Sequence, residues 1–106
     1  MIKRMCLIYS TFPAIDDAKR VGKILVEERL AACVNIIPKI HSIYWWDDKI
    51  EEDSEVVLIA KTTTRTANRI VETIKTHHPY ELPAILIVPV EGGFEGFLDY
   101  VESEVK

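Results

Sequence analysis

Apolar residues recur along this chain with two different periods, and the switches between them predict the elements. Met5-Cys6-Leu7-Ile8-Tyr9 is a short apolar run of strand character, ended by Thr11-Phe12-Pro13. Asp16-Asp17 then open a helix, where carboxylates favour the positive end of the dipole. Ala18, Val21, Ile24 and Leu25 form one apolar stripe while Lys19, Arg20, Lys23, Glu27 and Glu28 stay outside, so the helix runs to about Leu30. From Ala32 to Trp46 the period changes to two. Val34, Ile36, Ile40 and Tyr44 fall on one face and Cys33, Ile37, Ile43 and Trp45 on the other. Asp47-Asp48-Lys49 is a hairpin turn signal, and Ile50 to Thr62 is the return strand. Thr64 or Thr66 caps a second helix with Ala67, Ile70, Val71 and Ile74 at helical spacing, stopped by Pro79. Ala84 to Val90 is a nearly continuous apolar strand, the mark of a central, covered position. Gly92-Gly93 breaks it, and Phe94, Phe97, Leu98, Val101 and Val105 stripe a terminal helix.

The order strand, helix, strand, strand, helix, strand, helix predicts an α+β fold of the ferredoxin-like split βαβ type, βαββαβ plus a C-terminal helix. Two right-handed crossovers around one long hairpin give the spatial order 4-1-3-2. No linker, repeat or low-complexity tract divides the chain, so residues 1–106 are expected to form one domain.

The hairpin is too long for a monomer. A strand of about 14 residues spans roughly 46 Å, whereas a globule of this length has a radius of gyration near 13 Å and so a diameter of about 34 Å. Its overhanging end carries Tyr44, Trp45 and Trp46, and its second strand is an open edge. Pairing with a neighbouring copy removes both problems, so an oligomer is expected.

Composition narrows the partners. The chain has 106 residues, 13 Lys and Arg against 17 Asp and Glu, and a net charge of -4. No basic run stands out, which argues against nucleic acid. No apolar stretch approaches the ~20 residues that span a bilayer, and Met1-Ile2-Lys3-Arg4-Met5-Cys6 lacks the long apolar core of a secretory signal. The cytoplasm is the expected compartment. Cys6 and Cys33 sit in apolar strand segments outside any CxxC spacing, and both are read as reduced, buried core thiols.

Candidate chemistry concentrates in His77-His78-Pro79-Tyr80-Glu81-Leu82-Pro83. Imidazole is the commonest neutral metal ligand, and Pro79 forces His78 out of helical geometry, so His77 and His78 can converge on one ion. The same histidines also suit a helix C-terminus. Other signals are weaker. Gly92-Gly93 before a helix is a faint anion-binding hint, Lys61-Thr62-Thr63-Thr64-Arg65 could hold a phosphate or simply end a strand, and Asp47, Asp48, Glu51, Glu52 and Asp53 make an acidic hairpin tip. His41 lies mid-strand, and Cys33 shows no setting that would make it a nucleophile. No GxSxG, GxxxxGK[ST] or GxGxxG motif and no nucleophile–base pair is present, so no enzyme activity is expected.

Four ordered motifs carry a resemblance: Glu28-Arg29-Leu30-Ala31-Ala32-Cys33-Val34-Asn35, Ser42-Ile43-Tyr44-Trp45-Trp46, Lys61-Thr62, and His77-His78-Pro79-Tyr80-Glu81-Leu82-Pro83. Across nearly its whole length the chain resembles the CutA family, small proteins named for divalent-cation tolerance. The resemblance implies a ferredoxin-like homotrimer with strands shared between subunits. It further implies a cytoplasmic protein linked to tolerance of copper and other divalent ions, with His77 and His78 as metal ligands. In the family pattern a cysteine completes that copper site, and here Ser10 stands at its position; a hydroxyl is a poor copper ligand. Asp48 replaces a common turn glycine. The alternative function is a trimeric small-molecule sensor or scaffold that takes an anion or metabolite in inter-subunit clefts.

Overall fold

The elements follow in the order β1 (Met5–Phe12), α1 (Ile15–Glu27), β2 (Cys33–Trp46), β3 (Lys49–Thr63), a short 3-10 turn (Thr64–Thr66), α2 (Ala67–His77), β4 (Ile85–Pro89) and α3 (Glu95–Glu104). They belong to a computed structural model that describes residues 4–106. Met1-Ile2-Lys3, part of the N-terminal stretch read above, lies outside the described residues. The fold is α+β. Its four strands form one sheet in the order β2-β3-β1-β4, the arrangement expected from the sequence, with every neighbouring pair antiparallel.

Strand alternation divides the sheet into two unlike faces. Cys6, Ile8 and Phe12 of β1 and Val56, Leu58 and Ala60 of β3 point to one side, where Ala18, Val21 and Leu25 of α1 and Ile70 and Ile74 of α2 cover them. Phe12, Ile8, Leu25, Leu58, Ile70 and Ile74 are each 0% exposed, so this layer is the core. On the other face α3 covers only one end, packing Val101, Val105 and Leu98 on Met5 and Leu7. Arg4 fastens that contact by pairing with Glu95, Asp99 and Glu102 of α3. The opposite end of this face, around Thr11, has no helix over it.

The hairpin overhangs the domain. β1 pairs with β3 only from Val56 to Thr63, so Lys49 to Glu55 of β3 pair with β2 alone. The molecule is accordingly 44 Å long and 27 × 21 Å across. Trp46 faces Lys49 across a two-residue turn in which Asp47 and Asp48 take φ of 52° and 60°. These are the left-handed positions of a tight hairpin, which Asp tolerates better than most residues.

Several sequence expectations are corrected. β1 runs on to Phe12 instead of ending at Tyr9, because its last residues pair with Val56 and Val57. α1 stops at Glu27, not near Leu30. Arg29 turns left-handed (φ 60°), the Leu30 and Ala31 amides bond back to the Leu25 carbonyl, and both side chains are tucked into the core. The Leu30 carbonyl then accepts the buried Thr62 hydroxyl at 2.6 Å.

The face assignment in β2 also changes. A bulge between Ile37 and Ile40 sets one extra residue against β3. Because side chains alternate with period two, one inserted residue exchanges the faces. Val34 and Ile36 lie on the helix-covered side, but beyond the bulge Ile43 and Trp45 continue that side, while Ile40 and Tyr44 join Cys33 and Ile37.

β4 is an edge strand and not a covered central one. Leu86, Ile87 and Val88 are 57%, 44% and 42% exposed. Only the ends of the apolar run that reads as central are packed in a single chain, Ile85 against the helix-covered core and Val90 against the α3 cluster. Cys6 is buried, as expected, but Cys33 is only half-buried, on the other face beneath neither α1 nor α2. The two are separated by β3 and both are free thiols. Thr66 stands at the N-cap of α2 without a side-chain capping bond, its hydroxyl pairing with that of Thr63 at 2.8 Å instead.

Candidate functional site

The end of α2 and the open end of the sheet meet, and the His77–Pro83 segment lies between them. α2 ends at His77 because Pro79 drives His78 into extended backbone (φ -81°, ψ 137°). That turn aims the two imidazoles into different environments. His78 is half-buried, its ring stacked on Phe12 with centroids 4.2 Å apart. Its Nε2–H donates to the Thr11 carbonyl at 2.7 Å and its Nδ1 accepts the Tyr80 amide at 3.1 Å. Both ring nitrogens are thus engaged, which defines a neutral tautomer. Burial pushes the His78 pKa below its usual value, against the opposing pull of the Thr11 carbonyl and of Asp17 and Glu55.

His77 is exposed. Its Nδ1–H donates to the Thr73 carbonyl at 2.9 Å, one turn back, which leaves Nε2 as the lone-pair nitrogen. Arg20, itself paired with Asp17, donates to the His77 carbonyl at 3.2 Å and so places a cation at the negative end of α2.

Ser10 neighbours Thr11 in sequence, but its side chain points the other way, into the helix-covered core. It is 0% exposed, and among the described residues its Oγ finds no hydrogen-bond partner. The structure therefore separates the positions of the expected copper site: His77 at the surface, His78 locked on Phe12, and Ser10 inside the core. His41 is far along the hairpin, bonded to Glu52 at 2.9 Å. Among the described residues no three His, Cys, Asp or Glu side chains come together in a way that could hold one metal ion.

A cleft of about 530 Å³ opens beside this segment on the uncovered face. Tyr44 and Trp46 of β2, Tyr80, and the carboxylates Asp53, Glu55 and Glu81 line it. The β2 bulge makes it possible, since it is what turns Tyr44 and Trp46 to this face. The Tyr44 hydroxyl donates to Asp53 at 2.6 Å and the Tyr80 hydroxyl to Glu55 at 2.9 Å. The bond to Asp53 pushes the Tyr44 pKa up to about 12, and burial followed by the bond to Glu55 raises that of Tyr80, so both phenols keep their protons. Sequence reasoning singled out Tyr80 and Glu81 and the acidic tip but missed Thr11, Phe12 and Glu55 as their partners. The alternation of Asp53 and Glu55 at i and i+2 was the available signal for a shared face.

The weaker signals resolve structurally. Lys61 lies within β3, two residues before its end, with its ammonium 5.4 Å from the Phe97 ring centre. Gly92-Gly93 is a loop before α3, whose first turn presents Glu95.

Comparison with known proteins decides the family. The profile described as CutA1 divalent ion tolerance protein matches residues 6–104. The chain belongs to the CutA1 family. The divalent-cation tolerance protein CutA of Archaeoglobus fulgidus is 40% identical over 99 residues, covering 93% of this chain and 96% of that protein. The chloroplastic CutA 1 of Oryza sativa is 35% identical over 94% of this chain, which spans only 56% of the rice protein's length. The crystal structure of CutA1 from Shewanella sp. SIB1 superposes with a TM-score of 0.94 at 36% identity, over 99% of this chain and 98% of that one. The CutA1 family is named for tolerance of divalent ions and not for a reaction. Relatives carry chloroplastic and, for a solved Archaeoglobus fulgidus structure, periplasmic designations. Among the described residues no helix is long and apolar enough to cross a membrane.

Proposed function

We propose that this CutA1-family chain is a non-enzymatic, cytoplasmic protein of divalent-cation tolerance. It acts as a homotrimer of one-domain, ferredoxin-like subunits spanning residues 1–106, and it meets copper or another divalent ion through His77 and His78. The observation that carries the metal reading is the exposed His77 ring, whose Nδ1–H is spent on Thr73 so that Nε2 offers its lone pair. His78 joins only by releasing either the Thr11 carbonyl or the Tyr80 amide. Ser10 adds no ligand, because its hydroxyl is a hard donor sealed in the core. The donor set fits a modest two-nitrogen site that favours Cu(II) over Zn(II), with copper as cargo.

Assembly is supported by the surface of a single chain. β2 and β4 are both outer strands, and Ile43, Trp45, Ile50 and Leu86 are each more than half exposed. An outer strand of one copy laid along the opposite edge of the next satisfies both ladders and closes into a ring. It also covers the apolar β4 run that the sequence reads as central.

Calorimetry with Cu(II) tests the metal part. Wild type should bind saturably and lose binding as pH falls, since imidazole binds metal only when neutral. Converting His77 and His78 together to Ala should abolish binding while sedimentation still shows a trimer. Equal binding by both proteins refutes the histidine site, and a stable folded monomer at micromolar concentration refutes the trimer.

A further inference from the structure

The cleft beside Tyr80 has a chemical character that divalent-cation tolerance does not use. Its walls are aromatic: Tyr44, Trp46 and Tyr80. Its charges are all negative, from Asp53, Glu55 and Glu81, and among the described residues no lysine or arginine lines it. At about 530 Å³ it is in the size range of small-molecule sites. An anion does not suit it. Nor does one metal ion, because these carboxylates do not gather into a group that could hold one.

The placement of the carboxylates narrows the ligand. Asp53 and Glu55 stand on the same face of β3, facing Ser42 and Ile40, so they lie about 7 Å apart along the strand. Each is held by one phenol, Tyr44 on Asp53 and Tyr80 on Glu55. A carboxylate that accepts one such bond keeps lone pairs for a second donor. Aromatic faces attract the ammonium ends of a ligand and pack on its methylenes.

We propose that this cleft binds a linear organic diammonium ion, a diamine or polyamine. Its two positive ends pair with Asp53 and Glu55, and its methylene chain lies against Tyr44, Trp46 and Tyr80. The site goes beyond the tolerance reading and involves neither histidine. It lies on the opposite face of the hairpin from Ile43, Trp45 and Ile50.

Calorimetry of the full chain with 1,4-diaminobutane and with spermidine tests it, alongside indole fluorescence. Saturable binding is expected, with a change in emission as Trp46 is covered. Asp53→Asn or Glu55→Gln should weaken it about tenfold or more, as loss of one charge-assisted bond implies. Glu52→Gln removes the same charge from the other face and should leave affinity unchanged. Near-ultraviolet circular dichroism shows that each variant is folded. Absence of saturable diamine binding, equal weakening by Glu52→Gln, or equal binding of Mg²⁺ or succinate overturns the proposal.

Discussion

The same two strands, β2 and β3, live in two different solvents. Toward one end β3 is a core strand, with Leu58 and Ala60 both 0% exposed beneath the helices. Beyond the β2 bulge the hairpin carries Ile43, Trp45, Trp46 and Ile50 at 65%, 72%, 54% and 61% exposure. Apolar residues fill β3 from Val56 to Ala60, whereas Lys49 to Glu55 contains only Ile50, so the outer apolar surface lies mainly on β2; cover differs as well. The inner half is stabilised by α1 and α2 within one chain. The outer half keeps its shape through strand pairing and a tight turn, and it leaves apolar surface whose burial is worth roughly 25 cal/mol per Å² to a partner. The contrast separates the surface that makes the chain fold from the surface left for the proposed assembly.

The sharpest way to break that contrast is to empty each half in turn. Phe12→Ala removes a fully buried ring together with the surface on which His78 stacks. It should cost about 3–5 kcal/mol in urea unfolding, and under 1 kcal/mol would mean that this layer is not the core. Replacing Trp45 and Ile50 together by Ala should leave the subunit's secondary structure intact. Assembly should weaken by about 2 kcal/mol or more, read as a shifted dissociation midpoint in sedimentation. Unchanged assembly would place the interface elsewhere.

Smaller effects sharpen the picture. Asp48→Gly relieves a left-handed residue at the turn and should stabilise by less than about 1 kcal/mol. A loss instead would show that the Asp side chain supports the turn. Thiol labelling of the native protein should modify Cys33 before Cys6, since Cys6 is buried and burial raises its pKa further. Equal rates would contradict the two-face division.

The pH effect is the smallest. His78 has a folded pKa below its unfolded value near 6.5, so it favours folding by staying neutral. Its contribution is complete above pH 6.5 and is lost as pH falls through the folded pKa, because the unfolded chain binds the proton more readily. Urea midpoints of wild type should drop over that range more steeply than those of His78→Gln. Parallel curves would remove His78 from the acid response.

The order of elements, the sheet order, the hairpin turn and the end of α2 were legible in the sequence because each rests on local rules: period, turn chemistry, and the restriction Pro79 places on His78. The motifs also carried the family. What misled was anything that needed a neighbour. A continuous apolar run at Ala84 to Val90 reads as covered, yet the local pattern does not say what lies over it, and in the single chain Leu86, Ile87 and Val88 stay exposed. The alternation through β2 reads as two fixed faces, yet a single extra residue between Ile37 and Ile40 exchanges them. That exchange is a property of pairing with β3, not of β2.

The candidate site divides in the same way. The sequence by itself determined that His77 and His78 sit side by side where a helix must stop, and that aromatics (Tyr44, Trp45, Trp46) and an acidic patch (Asp47, Asp48, Glu51, Glu52, Asp53) gather at the hairpin tip. Only the tertiary structure decided that His78 spends both nitrogens on Thr11 and Tyr80, and that the Ser10 hydroxyl points into the core. It also decided that Tyr44, Trp46, Tyr80, Asp53 and Glu55 share one cleft. The physical reason is range. Backbone preference and periodicity act over a few residues, whereas a hydrogen bond between residues 67 positions apart exists only once the sheet has brought them together.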